Sequence, residues 1–285
     1  MKAADRWAEA LAARAIPQPI IDAAPTSPWG FPTELFRTRA RMSSERPVAT
    51  PTTVRALEAL PASGPPSGTV LDVGVGGGAT SLPLAPRAGR ITGFDQQADM
   101  LAIFLEAAGG AGVDAEAVQG RWPDDEGTAP RAEVVISGHT LYNVPDLVPF
   151  VSALDAHASR RVVLEATERH PLGWMRDLWR RFHDLDIPDA PSIDLAVEVI
   201  EAKGIAVSRE DRPDRDDDPG AGGFDAAEDA VALIRTRLCL PASRDAELTE
   251  ALGDRLRVRH GLWTAGPASR TVVTLWWDTH HDESS

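Results

Sequence analysis

The order of apolar segments predicts an α/β fold in which a parallel sheet is covered by helices on both faces. Three observations carry this. Between residues 70 and 165, short apolar runs (Val70–Val73, Arg90–Phe94, Ala115–Val118, Ala132–Ser137, Arg161–Glu165) alternate with helix-length segments (Ala79–Ala85, Gln97–Ala108, Asp146–Ala156). Strand–helix alternation with short loops gives parallel strands joined by right-handed crossovers. The first run leads into a glycine-rich turn, Val73-Gly-Val-Gly-Gly-Gly78, and the second closes on a carboxylate, Asp95.

Elements outside this stretch follow from spacing and punctuation. Residues 4–15 have helical spacing, with Trp7 and Leu11 on one face, and stop before Pro17. A proline-punctuated stretch, Pro17 to Pro32, ends in Ser-Pro-Trp-Gly-Phe-Pro at 27–32. Helices are expected over about 33–42 and about 51–60, the second entered through Thr50-Pro51, an N-cap followed by proline at the first helical position. The Pro/Gly/Ser stretch 61–68 reads as a connector, so residues 1–60 form a helical cap on a domain spanning 61–285. Beyond Glu165 the pattern gives an amphipathic helix over 171–183, a helix near 192–203 and a strand at Ile205–Ser208. An acidic loop follows at Asp211–Gly223, then helices near 225–238 and 244–253 and a last strand at Thr271–Trp277.

Composition narrows the function. The 285 residues are 43% hydrophobic, enough for a sizeable core, and the formal net charge of −14 argues against nucleic acid or anionic membrane surfaces as partners. The single cysteine, Cys239, sits in an apolar stretch and builds neither a disulfide nor a zinc cluster. No residues have metal-ligand spacing; the adjacent His280 and His281 lie in the tail. The stretch Trp7–Ile21, broken by Glu9, Arg14 and two prolines, does not read as a secretory signal, and no apolar run approaches the ~20 residues of a membrane span. The expectation is a soluble, cytoplasmic protein.

The glycine loop and Asp95 together indicate a nucleoside cofactor. A glycine turn lets backbone N–H groups approach a ligand, and a carboxylate about twenty residues later is placed for a ribose diol. Gly74-Val-Gly-Gly-Gly-Ala79 also satisfies the dinucleotide pattern G-x-G-x-x-G/A. Against a dinucleotide stands Asp72, two residues before the loop, which would repel a pyrophosphate and attract an ammonium group.

Four segments in order carry a resemblance: Val70-Leu-Asp-Val-Gly-Val-Gly-Gly-Gly78, Ile91-Thr-Gly-Phe-Asp95 followed by Gln96, Val118-Gln-Gly-Arg-Trp-Pro123, and Ala132-Glu-Val-Val-Ile-Ser137 followed by Gly-His-Thr-Leu-Tyr-Asn-Val-Pro-Asp146. The chain resembles the class I S-adenosylmethionine-dependent methyltransferases, and the fourth segment is similar to those of quinone biosynthesis and other small-molecule members. The resemblance implies a Rossmann-like seven-stranded sheet, mostly parallel, with an antiparallel last strand beside the fifth. It implies that Gly74, Gly76 and Gly78 pass beneath the methionine part of S-adenosylmethionine and that Asp72 meets its amino group. By the same resemblance Asp95 takes the ribose hydroxyls, Gln96 and the backbone of Arg121 and Trp122 flank the adenine, and Ser137 meets the aminoacyl end. One departure stands out: many members carry an acid where this chain has Arg121.

An acceptor should sit beyond the carboxyl ends of the fourth and fifth strands. His139, Tyr142 and Asn143 follow the fourth; Glu165, Glu168, Arg169 and His170 end or follow the fifth. Histidine titrates near neutrality, so His139 is the first candidate base and His170 the second, with Tyr142, the only tyrosine, orienting the acceptor. Trp29 and Phe31, Trp174, Trp179 and Phe182, and His260–Trp263 could line a lid, with an insertion near 166–195 closing over the cofactor. The expected activity is methyl transfer to a small organic acceptor. Alternatives left open are an NAD-dependent oxidoreductase using the same loop and a non-catalytic protein that only holds S-adenosylmethionine. Neither the acceptor nor the oligomeric state is written in the sequence.

Overall fold

The apolar runs become strands of one sheet, and the central ones bury β-branched or large aliphatic side chains on both faces, as Val70 and Leu71, Val134 and Val135, and Val162 and Val163 do. The computed structural model describes residues 1–30, 32–45, 48–214 and 222–279. Phe31, most of the acidic 211–223 segment, and His280 and His281 lie outside the described residues. The strands are β1 (Gly68–Val73), β2 (Ala88–Asp95), β3 (Asp114–Gln119), β4 (Ala132–Gly138), β5 (Ala158–Thr167), β6 (Ser208–Pro213) and, after a hairpin described below, β9 (Thr271–Asp278). Their order is β3-β2-β1-β4-β5-β9-β6. The first five are parallel, and β9 runs antiparallel between β5 and β6. This is the seven-stranded arrangement expected from the sequence, with the last strand beside the fifth. The chain reverses its direction of winding between β1 and β4, the switch point where open α/β sheets bind ligands.

Side chains alternate along β4: Val134 and Ile136 join one core and Val135 the other. Against the first of these faces pack α3 (Thr33–Glu45), α4 (Pro51–Glu58) and α5 (Ala98–Ala111). Against the second lie α1 (Ala3–Ala12), α6 (Leu147–His157) and α8 (Ile193–Glu201), centred on fully buried Trp7. A third core holds no strand of this sheet. It joins α2 (Gln18–Ala23), α7 (Arg176–His183), α9 (Ala227–Arg237) and α10 (Asp245–Leu252) through Met175, Leu178, Trp179, Ile234 and Leu248. The N-terminal helices are therefore present but divide among three cores, with the connector at 61–68 leading into β1.

Several local expectations change. Ala79–Ala85 forms only a short 3-10 turn at Leu82–Leu84, since Pro83 lacks the amide an α-helix needs. The proline-rich stretch 17–32 contains α2, with prolines at its start where they are tolerated. The strand expected at Ile205–Ser208 is β6, beginning at Ser208 and running into the segment read as loop. Residues His260–Trp263, expected in a lid, belong to a hairpin of β7 (Leu256–Arg259) and β8 (Leu262–Ala265). Its two-residue turn, His260-Gly261, has positive φ at both positions (52° and 80°), the geometry of a tight hairpin. The expected N-cap is observed: Thr50 accepts a hydrogen bond from the Thr53 amide at 3.1 Å.

Candidate functional site

At the carboxyl end of β1 the backbone turns through Gly74, Gly76 and Gly78, with φ of 73°, 52° and 87° that side chains with a Cβ rarely adopt. The Gly74 and Val75 amides donate to the Phe94 carbonyl at 2.8 and 3.1 Å, and the Gly76 amide donates to Asp95 Oδ2 at 3.0 Å. The second Asp95 oxygen accepts from the Gln97 amide at 3.0 Å. Asp95 is thus fixed against the loop, and each oxygen keeps a lone pair for a diol. Helix α3 lies directly on the loop. A Cβ on Gly77 would stand 2.8 Å from the Phe36 carbonyl oxygen, and Ser43 donates to the Ala79 carbonyl at 2.6 Å.

Beneath the loop, Asp72 is 1% exposed, and neither carboxylate oxygen has a hydrogen-bond partner among the described residues. Burial raises its pKa to about 7; the nearby Ser81 hydroxyl opposes the shift, short of hydrogen-bond geometry, and the Asp95 charge adds to it. A buried carboxylate without a partner is costly, and native structures keep one where a ligand completes it. An ammonium group meets that need and a phosphate does not. The loop and Asp72 fit S-adenosylmethionine, whose α-amino group Asp72 would hold and whose ribose Asp95 would hold.

The other expected cofactor residues cluster around the ends of β2, β3 and β4. Gln96 is exposed, and its carbonyl accepts from the Gln119 side chain at 3.2 Å. The Arg121 amide donates to Asp125 Oδ2 at 2.8 Å, so its own side chain is left at the surface. Trp122 packs edge-on to Phe94 with ring centroids 5.3 Å apart and donates to the Phe150 carbonyl at 3.3 Å. Ser137 is buried and bonded within the protein: its hydroxyl donates to the Val73 carbonyl at 2.6 Å and meets the Thr140 hydroxyl at 2.6 Å. Its side chain thereby ties the exit of β4 to the exit of β1.

Residues 70–158 match the family model described as a methyltransferase domain. The matched segment runs from β1 to the start of β5 and contains the glycine loop and Asp95. A protein from Bacillus halodurans described as a methyltransferase superposes with a TM-score of 0.50 at 15% identity, over 80% of this chain and 99% of that one. YcgJ from Bacillus subtilis gives 0.49 at 16% identity over 81% and 98%. The magnesium protoporphyrin IX methyltransferase from Synechocystis, solved with S-adenosylhomocysteine bound, gives 0.45 at 14% identity over 85% of each. No curated protein sequence matches.

Of the three expected catalytic residues, His139 alone is half exposed at the carboxyl end of the sheet. Its φ is 58°, a left-handed conformation unusual for histidine, held by its amide donating to the Glu165 carbonyl at 2.7 Å. Its Nε2 lies 3.2 Å from Glu165 Oε1. Thr52 donates to the other Glu165 oxygen at 2.5 Å, so the 2.7 Å contact between Thr52 and Thr274 has Thr274 as donor. Burial would raise the Glu165 carboxyl, but the His139 imidazole and the Thr52 hydroxyl outweigh it and hold the group below its usual range. The carboxylate fixes the tautomer with Nε2–H, leaving Nδ1 as the basic nitrogen. Glu165, Thr52 and Thr274 come from β5, α4 and β9, so no sequence spacing announces the cluster.

Tyr142 and His170 are placed differently. Tyr142 is buried, stacks on Trp7 at 5.6 Å, and shares its hydroxyl proton between the Thr167 and Glu168 carbonyls at 2.7 and 3.1 Å. Burial drives its pKa upward, so the hydroxyl stays protonated. That anchors the backbone leaving β5. Tyr142→Phe is expected to lower stability by about 1–2 kcal/mol in urea unfolding, since two buried carbonyls lose a donor, with kcat nearly unchanged. His170 accepts from the Leu172 amide through Nδ1 at 3.1 Å, and burial, reinforced by the Arg14 charge, pushes its pKa down to about 3. Near neutral pH it is an uncharged imidazole too weakly basic to serve as the catalytic base. Among the described residues no helix is long and apolar enough to cross a membrane.

Proposed function

We propose that the protein moves the methyl group of S-adenosylmethionine to a small organic acceptor, with His139 taking the proton that the acceptor loses. The observation carrying this reading is the His139–Glu165 pair, set at the carboxyl ends of β4 and β5 next to the glycine loop. When bound, S-adenosylmethionine supplies a sulfonium methyl whose leaving group is a neutral thioether. Asp72 and Asp95 fix the donor, and His139 Nδ1 accepts the acceptor's proton while Glu165 stabilises the imidazolium that results. In this reading Tyr142 anchors the Thr167–Glu168 backbone and does not take part in the reaction. Gln96, Arg121 and Trp122 flank the adenine, and Ser137 acts by holding the β1 exit.

A small acceptor is supported by the cover over this end of the sheet. Helix α3 lies on the loop, and the 169–192 segment and the third core enclose the space beyond β5. We assign the helices of residues 1–60 and the 166–195 segment to that cover, which keeps water from the methyl group. A buried lone cysteine suits a reducing, cytoplasmic setting. Calorimetry with S-adenosylhomocysteine and NAD tests the reading: micromolar binding of the first and none of the second is expected. Tight NAD binding with no response to S-adenosylhomocysteine would overturn it.

A further inference from the structure

Beyond the end of β5, the chain at Thr167–His170 faces the start of β9 at Arg270–Thr271 across a cavity of about 300 Å³, with Trp174 on its wall. The charges around it are unevenly matched. Arg169 is paired with Asp189 at 3.2 Å, and His170 is neutral. Arg270 is clamped to Asp214 through its backbone, its amide donating to Oδ1 at 2.7 Å and its carbonyl accepting from the Asp214 amide at 2.6 Å. Its guanidinium pairs more loosely with the same carboxylate, Nε standing 3.7 Å from Asp214 Oδ2, an oxygen it shares with Arg259 at 3.5 Å. Burial lowers the Arg270 pKa despite Asp214, and the Arg259 and Arg257 charges add to that effect. Arg270 in turn helps lower Arg39, after burial, to about 10. Of the arginines only Arg169 and Arg270 line the cavity, in a chain whose net charge is −14. Glu168 also lines the cavity.

We propose that Arg270 binds a carboxylate of the methyl acceptor in this cavity. A planar guanidinium that already faces like charges gains from a carboxylate in bidentate geometry, and the ligand relieves the crowding. Glu168 sets a limit, because its charge disfavours a second anionic group, so the acceptor is a monocarboxylate rather than a dianion such as a phosphate monoester. Thr167 lies two residues beyond Glu165 on β5, roughly 7 Å along the strand. In this proposal a carboxylate on Arg270 directs the other end of a small molecule back along β5 toward Glu165 and His139. The wall at Trp174 suits an aromatic or apolar body between the two ends.

This inference rests on the methyl-transfer reading, and the experiment keeps the two apart. The intact protein is first titrated with S-adenosylhomocysteine, which tests the donor site alone. Its complex is then titrated with benzoate, 4-hydroxybenzoate and phenylacetate, each against its primary amide, and with phenyl phosphate. The acids are expected to bind at least tenfold tighter than their amides and tighter than phenyl phosphate. Arg270→Gln should erase the preference while leaving S-adenosylhomocysteine affinity unchanged, and Arg270→Lys should restore part of it. Failure of every acid to bind, equal binding of acids and amides, or an Arg270→Gln variant that keeps the preference would overturn the proposal. Loss of S-adenosylhomocysteine binding in the wild type would instead strike the methyl-transfer reading.

Discussion

Asp72→Asn should weaken S-adenosylhomocysteine binding by about 100-fold or more, while making the ligand-free protein more stable above neutral pH. Both effects come from one buried carboxylate with no hydrogen-bond partner among the described residues. A charged hydrogen bond to the ligand ammonium is worth roughly 1.5–3 kcal/mol, and more where water is excluded. The stability effect follows from linkage. The folded-state pKa of about 7 lies above the reference value of 3.8, so the folded protein holds a proton that the unfolded chain releases between those values. Stability of the ligand-free wild type therefore falls as pH rises from about 4 to about 7 and then levels off. The loss is on the order of 4 kcal/mol, with the other carboxylates superimposed. The amide introduced by Asp72→Asn does not titrate, so the difference between the wild-type and variant melting curves isolates the group. Ligand binding has the opposite sign: the ammonium prefers the ionised carboxylate, so affinity should rise with pH up to about 7 and then plateau. Thermal melting and calorimetry across pH 5–8 read both. A stability difference between wild type and the Asp72→Asn variant that is flat with pH would sink the assignment of Asp72 as the buried ammonium partner.

The candidate donor half of the proposed site can be picked out in the sequence because it is local. Asp72, Gly74, Gly76 and Gly78 lie within seven residues, and Asp95 ends the neighbouring strand, so adjacency in the chain becomes adjacency in space. The order of the central strands was legible for a similar reason, since β2, β4, β5 and β9 each hold a local apolar run, whereas β6, Ser-Arg-Glu-Asp-Arg-Pro, carries none. The acceptor half is assembled from a distance. Thr52, Glu165 and Thr274 meet only because α4 packs across β5 and β9, and nothing in the residues around Thr52 marks it as more than helix N-terminal. Tyr142 illustrates the opposite error of emphasis. Being the only tyrosine next to a candidate base made it conspicuous, yet its hydroxyl holds backbone carbonyls in the core. The third core was hidden because its helices come from residues 18–23, 176–183, 227–237 and 245–252, interrupted by β6. The hairpin turn at His260-Gly261 was readable in principle, since glycine after a residue that tolerates positive φ is a tight-turn signal.

The second large effect concerns the base. His139→Ala is expected to lower kcat by about 10²–10⁴, the range for removing a general base, with S-adenosylhomocysteine affinity kept within a few-fold. The partners differ in a way that separates catalysis from folding. Without His139, Glu165 is a buried carboxylate whose remaining donor is Thr52, and burial then raises its pKa. His139→Ala should therefore cost stability at neutral pH, and more so as pH rises, because the unfolded chain releases a proton that the buried carboxyl retains. Glu165→Gln removes the charge along with its desolvation cost. It should leave stability closer to wild type and yet reduce kcat by roughly 10–100-fold, since the imidazolium formed in the reaction loses its stabilising carboxylate. The double variant should be no slower than His139→Ala alone, as expected for residues acting as a unit. If the two losses in kcat instead multiply, Glu165 acts on the reaction independently of His139. If kcat survives both changes, the protein aligns donor and acceptor without taking a proton, and the methylated atom must already be a free nucleophile when it binds.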